Sequence, residues 1–231
     1  MRLRLLSGGA AHGIVRALAD RYRADTGYEI DGTFSAVGAM RDKLLAGGRA
    51  DVVILTRKLI DELVTSSHVA PAPRGDIGVV RTGVAVRSGD PMPDIPGADT
   101  LRASLLASQG IYFPDPQRAT AGIHFASVLA RLGIADDVAS RLRTFPNGAT
   151  AMRALAQATD TLPIGCTQIT EINSTPGVAL VGPLPVEFEL ATMYSIGLCV
   201  NASAPEAARQ FIEMLTSDAS RAVRAKAGFE I

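Results

Sequence analysis

Short apolar runs alternate along the chain with stretches whose apolar residues recur at three- and four-residue spacing, the pattern of strands followed by helices. Leu3 to Leu6 reads as a strand. After Ser7-Gly8-Gly9, residues Ile14, Val15, Leu18 and Tyr22 mark one face of a helix that Thr26-Gly27 closes. Tyr28 to Phe34 is predicted as a strand and Ala36 to Ala46 as a helix closed by Gly47-Gly48. Asp51 to Leu55 is a strand of the continuous, buried type. A helix near Leu59 to Val64 precedes the proline-rich stretch Pro71 to Arg74, and Ile77 to Val86 reads as a long strand. The next block predicts a strand at Gly110 to Phe113, a turn at Asp115-Pro116, and helices at Thr120 to Arg131, Asp136 to Arg143 and Asn147 to Gln157. Strands follow at Leu162 to Gly165, Val178 to Val181 and Phe188 to Val200. Two helices close the chain. Ser203-Ala204-Pro205-Glu206 opens the first as a capping box with an early proline, and Gly228 ends the second.

Strands alternating with helices imply an α/β fold. The two long strand-like stretches are read as crossings between two lobes, each a central, mostly parallel sheet flanked by helices. Lobe 1 is expected over 1–80 plus 196–231 and lobe 2 over 81–195, with ligand bound in the cleft that such a division creates. Composition narrows the function. The 231 residues are 47% hydrophobic and 20% charged, as in an ordinary globular protein. Their 23 basic and 23 acidic residues cancel, which argues against nucleic acid, and 5% aromatics with no Trp argue against base-stacking platforms. No apolar run approaches membrane-spanning length, so membrane insertion is not expected. After Arg2 and Arg4, Leu5-Leu6-Ser7-Gly8-Gly9 is too short and polar for a signal-peptide core. The location read from the chain as written is therefore cytoplasmic, or periplasmic if a leader has been removed. Cys166 and Cys199 are read as buried free thiols. Three scattered histidines without ligand spacing give no metal site, and no cofactor is expected.

The turns carry the candidate chemistry. Leu6-Ser7-Gly8-Gly9-Ala10-Ala11 takes a strand into a helix through small residues, leaving backbone N–H groups where the helix dipole favours an anion. It is neither a P-loop nor GxGxxG. Phe34 to Gly38, Thr120-Ala121-Gly122 and Pro146-Asn147-Gly148-Ala149 are helix starts of the same kind. Such turns also serve tight packing alone.

The stretches LRLLSGGAAHGIVRALADRYRADTGYEID, TFSAVGAMRDKLLAGGRADVVIL, FPDPQRATAGIHFASVLARLGI, PIGCTQITEI and AKAGFEI cover most of the chain. In that order they resemble the periplasmic molybdate-binding proteins and, more broadly, the type 2 periplasmic substrate-binding fold. The resemblance implies two hinged α/β lobes that close over a small anion. It also implies a ligand set, from which this chain departs. The family's two serine donors fall on Ala10 and Val37, and its tyrosine donor falls on Gln168. Backbone donors at Ala121 and Ala149 are indifferent to side chain. With three hydroxyls lost, molybdate is not the expected ligand. The candidate binding residues are Ser7, Gly8, Gly9, Ala10, Ala36, Val37, Arg118, Thr120, Ala121, Asn147, Ala149 and Gln168. Arg57 and Arg118 suit a carboxylate, which guanidinium groups pair with bidentately; a solvated surface side chain is the commoner reading of either, and Arg118 is the stronger candidate because its neighbours match the family's binding loop.

His12 and His124 fall at helix starts beside anion turns, where a histidine moves protons or merely packs, and His68 lies in a polar loop. Three readings follow. The chain is a capture protein for a small anion, partnered by an ABC permease only if exported. Alternatively, it is an enzyme on the same scaffold: some proteins that resemble the molybdate binders are isomerases of unsaturated tricarboxylic acids, such as aconitate isomerase, and by that analogy His12 is the base of a proton shift, with Arg118 and backbone N–H groups stabilising the charge. A regulator's sensing domain is the third reading, and the first strand at residue 3 leaves no room for a DNA-binding module ahead of it.

Overall fold

The computed structural model describes residues 1–231. The chain runs β1 (Arg2–Gly8), α1 (His12–Thr26), β2 (Glu29–Ser35), α2 (Val37–Leu45), β3 (Val52–Thr56), α3 (Arg57–Thr65), β4 (Val69–Arg87), α4 (Ala98–Ala107) and β5 (Ile111–Pro114). It continues through α5 (Thr120–Arg131), α6 (Ala135–Val138), β6 (Leu142–Phe145), α7 (Gly148–Ala156), β7 (Ile164–Gln168), α8 (Ile169–Asn173), β8 (Val178–Pro183), β9 (Ala191–Cys199), α9 (Pro205–Thr216) and α10 (Arg221–Ala227). It divides into two compact units, Met1–Val80 with Thr192–Ile231 and Arg81–Ala191. No helix is long and apolar enough to cross a membrane.

In the first unit β1 lies between β2 and β3, parallel to both, and β9 pairs antiparallel with β3. The helical period foreseen for α1 is what it buries: Ile14, Val15, Leu18 and Tyr22. Tyr22 ties α1 to α9, donating its hydroxyl to the Ala207 carbonyl at 2.8 Å and meeting the Phe211 ring edge-on at 5.1 Å. Gly27, at φ +73°, closes α1 in the left-handed conformation that favours glycine.

In the second unit β5 lies between β6 and β7, parallel to both, while β4 pairs antiparallel with β7 and β8. Phe113 on β5 packs edge-on against Phe125 on α5 at 5.3 Å within a core that also takes Val84, Val128 and Cys166. Cys166 and Cys199 are both buried and free.

Several elements differ from the sequence pattern, each for a long-range reason. The helix foreseen over Asp136 to Arg143 shrinks to α6 and a single 3-10 turn, and Leu142–Phe145 leaves as the strand β6. Pairing with β5 and stacking of Phe145 on Tyr112 at 6.0 Å override the short helical pattern. Pro71 to Arg74 belongs to the 19-residue β4, where it is largely exposed, and exposed strand segments tolerate proline. The last long strand starts only at Ala191, after a 3-10 turn at Val186–Phe188. The capping box before α9 does not form, because Ala204 is the N-cap and no side chain caps locally. Asp51 does this work instead, accepting from Ser203 N at 2.6 Å, Ser203 Oγ at 2.9 Å and Ala204 N at 3.1 Å.

Candidate functional site

In the first unit, the C-terminal ends of β1 and β2 bring two helix starts together. Ser7 opposes Phe34 and Gly8 opposes Ser35 in the parallel register. Ser7 is fully buried and its hydroxyl donates to the Gly8 carbonyl at 2.9 Å, so it faces the protein's own backbone. Gly8 is required by crowding: a Cβ there would lie 2.6 Å from Val37 Cγ1 and 3.2 Å from Tyr194 Cε1. Gly9 and the buried Ala10 form a 3-10 turn that leads into α1. His12 opens α1, with its ring edge-on to Phe34 at 4.7 Å. Ala36 is the N-cap of α2, whose first bond runs from Met40 N to the Ala36 carbonyl, so the N–H groups of Val37 and Gly38 precede the helical ladder. Tyr194, from distant β9, joins this cluster without any signal in the local sequence.

Arg57 is engaged inside the unit. It pairs with Asp76, which also accepts from Ser195 Oγ at 2.6 Å. A guanidinium already answered by a carboxylate is not a free clamp for another.

In the second unit, Asp115 folds the loop after β5 by accepting from Gln117 N at 2.7 Å and Arg118 N at 3.2 Å. Arg118 is exposed there. Ala119 caps α5 and the first helical bond is Ile123 N to the Ala119 carbonyl, which leaves the N–H groups of Thr120 and the buried Ala121 ahead of the ladder. Gly122 lets this turn lie on the end of β5, since a Cβ would come within 2.3 Å of the Pro114 and Asp115 carbonyls. His124 reaches the Phe188 carbonyl at 2.7 Å, and Arg131 lies over the Phe188 ring at 4.6 Å, so this face of α5 holds the 3-10 turn. In the first unit, His68 contacts Ser66 Oγ at 3.1 Å.

The helix start at Pro146 to Ala149 is filled from within. Asn147 Oδ1 accepts from both Thr150 N and Thr150 Oγ1 at 2.9 Å. Against the start of α7 lies the buried carboxylate of Glu171, which accepts from Thr167 Oγ1 at 2.6 Å and from the N–H groups of Ala149 and Gln168. A Cβ on Gly148 would meet Glu171 Oε2 at 2.0 Å. Burial pushes the Glu171 carboxyl above its ordinary value, and these hydrogen bonds offset only part of that push. The Ala149 donor foreseen for a ligand is thus taken by the chain's own carboxylate.

Gln168 is the opposite case. It ends β7, is 3% exposed, and neither its amide nitrogen nor its amide oxygen has a partner. Thr82, its cross-strand neighbour on β4, is 1% exposed with an equally unpartnered hydroxyl. Leaving one such buried group unmet costs about 1–3 kcal/mol, so two side chains left so side by side suggest a partner supplied from outside. No group of three or more His, Cys, Asp or Glu residues is placed to hold a metal ion.

Alternating α/β units with helix starts gathered at the C-terminal ends of parallel strands define a class built to hold small anions on backbone N–H groups. Residues 3–230 match the family described as bacterial extracellular solute-binding protein, and the chain belongs to that family. An aconitate isomerase from a Pseudomonas species is 30% identical over 233 residues, covering 96% of this chain and 85% of that protein. Among solved structures, the periplasmic molybdate-binding protein of Azotobacter vinelandii has a TM-score of 0.82 at 17% identity over 99% of each chain. The sulfate-binding protein SubI of Mycobacterium tuberculosis has a TM-score of 0.77 at 17% identity, over 99% of this chain and 86% of its own. The two structural likenesses are likenesses of fold.

Proposed function

We propose that the chain binds a small anion, and that a di- or tricarboxylic acid is its ligand in preference to molybdate. The observation that carries this reading is the buried, unpartnered amide of Gln168. It stands where the resemblance places a hydroxyl donor to molybdate, and Ala10 and Val37 leave the other two such positions without a hydroxyl. Within the same unit as Gln168, the N–H groups at the start of α5 supply anion donors that need no side chain. The structural neighbours, a molybdate-binding and a sulfate-binding protein, support an anion, and the aconitate isomerase supports a carboxylate. A ligand that binds only the folded chain raises its stability, by about 2.7 kcal/mol at one hundred times Kd. Thermal melts with molybdate, tungstate, sulfate, phosphate and a panel of di- and tricarboxylates test the proposal. A rise with a carboxylate and none with molybdate is expected, and a rise with molybdate alone overturns it. In this reading the partner is a permease of the ABC type, met outside the cytoplasm, in keeping with the family's description as extracellular.

The 30% identity to an aconitate isomerase favours a second reading, in which the bound acid is turned over. A base removes a proton from the CH2 beside a carboxylate, backbone N–H groups hold the charge that develops on the oxygens, and the proton returns to the former vinylic CH at the other end of the three-carbon allyl unit, so that the double bond shifts. His12, at the start of α1, is the base of this reading. Proton NMR of cis-aconitate incubated with the protein detects the trans isomer directly. His12→Ala is expected to abolish turnover while keeping the ligand-induced thermal shift, and undiminished turnover removes His12 from the role.

A further inference from the structure

The orphaned groups on β4 and β7 say more about the ligand than that it is anionic. Thr82 and Gln168 are opposite one another in an antiparallel ladder, so their side chains leave the same face with Cβ atoms about 5 Å apart. Gln168 Nε2, Gln168 Oε1 and Thr82 Oγ1 are all buried without a partner, and so is Thr170 Oγ1 two residues along. Their capacities differ in kind. A carboxamide nitrogen donates twice and its oxygen only accepts, while a hydroxyl does both. A fully ionised oxyanion such as molybdate or sulfate carries acceptors alone. It would meet the Gln168 nitrogen and the Thr82 hydroxyl well, but it would set lone pairs against the amide oxygen and leave that oxygen unmet in a buried site. A bare carboxylate has the same defect. A group that satisfies both ends of the amide offers an acceptor and a donor side by side, as a carboxylate with a hydroxyl on the neighbouring carbon does.

We infer that Gln168 and Thr82 form a mixed donor–acceptor subsite that selects a hydroxy acid over its deoxy counterpart. The inference rests on the carboxylate reading above and narrows it. The subsite also accounts for why such groups persist in a buried position: their cost is met by the ligand rather than by the fold.

Calorimetric titration of the full chain with malate against succinate, and with citrate against tricarballylate, tests it at a pH where all the carboxylates are ionised. Each hydroxy acid is expected to bind at least tenfold more tightly than its partner. Gln168→Leu is expected to reduce that preference to within twofold and to melt no lower than the parent without ligand, because it removes an unmet polar group. Thr82→Val is expected to weaken the preference in the same direction. Equal affinities within both pairs overturn this inference alone and leave the carboxylate reading standing. No binding of any of the four acids overturns this inference, and the carboxylate reading falls with it only when the wider panel, cis-aconitate included, also gives no thermal shift. A preference undiminished in Gln168→Leu overturns the assignment to this side chain.

Discussion

Two buried carboxylates in this chain each lie at a helix start, and their environments push them in opposite directions. At Asp51 burial favours the neutral form, but hydrogen bonds from Arg4 N at 2.8 Å, from Ser203 and from Ala204 outweigh it and hold the carboxyl below its ordinary value. A depressed carboxyl stabilises the fold above its unfolded value of about 3.9, and the contribution is lost as pH falls through the folded value. Asp51→Ala leaves several donors unmet and is expected to cost roughly 2–4 kcal/mol in urea unfolding at pH 7, with a flatter acid limb than the parent. Glu171 has the reverse sign. Its raised carboxyl keeps its proton longer in the folded state, so stability declines as pH rises from about 4.3 toward the folded value. Glu171→Gln cannot titrate, so its stability relative to the parent is expected to improve as pH rises through that window, and a difference independent of pH contradicts the assignment. The role of Asp51 is not legible in the sequence, because Asp51 and Ser203 are 152 residues apart and no local period connects them; Glu171 bonds Thr167 only four residues away, but its place against the start of α7 is set by packing between distant segments. Side chains read as ligand donors from their place in a turn were legible only as positions. Ser7, Arg57 and Asn147 turn out to serve Gly8, Asp76 and Thr150. Gln168 was marked through the resemblance, and its unmet amide is visible only in three dimensions.

Among the elements, periodicity carried the long ones well. The burial of α1, the bounds of α5 and the closing role of Gly228 follow from residues read locally. What periodicity could not carry is set by pairing. β6 is four residues at a sheet edge, α8 is five residues hung on β7, and the proline-bearing start of β4 holds its extended form with its side chains largely in solvent. The glycines of the turns have packing reasons that the sequence leaves ambiguous. Gly122 brings the start of α5 against two carbonyls of the β5 loop. Gly122→Ala drives a methyl into backbone that cannot rotate away, and its cost is expected at or above the usual overpacking range of about 1–3 kcal/mol. Denaturant midpoints measure this. A midpoint equal to the parent's would show that the helix start does not need so close an approach.

For the molecule as a whole, alternation of strand and helix was enough to fix the α/β class, and membership of the solute-binding family agrees with it. Ligand chemistry is a different matter, since a shared scaffold carries molybdate-binding and sulfate-binding proteins and is matched by an isomerase. The choice among ligands rests on a few side chains: the absence of hydroxyls at Ala10 and Val37, and an amide where the resemblance places a phenol. In the proposed reading these favour an organic acid met by one buried amide. The most direct measurement is calorimetric titration of the purified chain with citrate and, separately, with molybdate. Saturable one-to-one binding of citrate with no heat from molybdate is the expected result. Tight binding of molybdate with none of citrate would contradict the account at its centre.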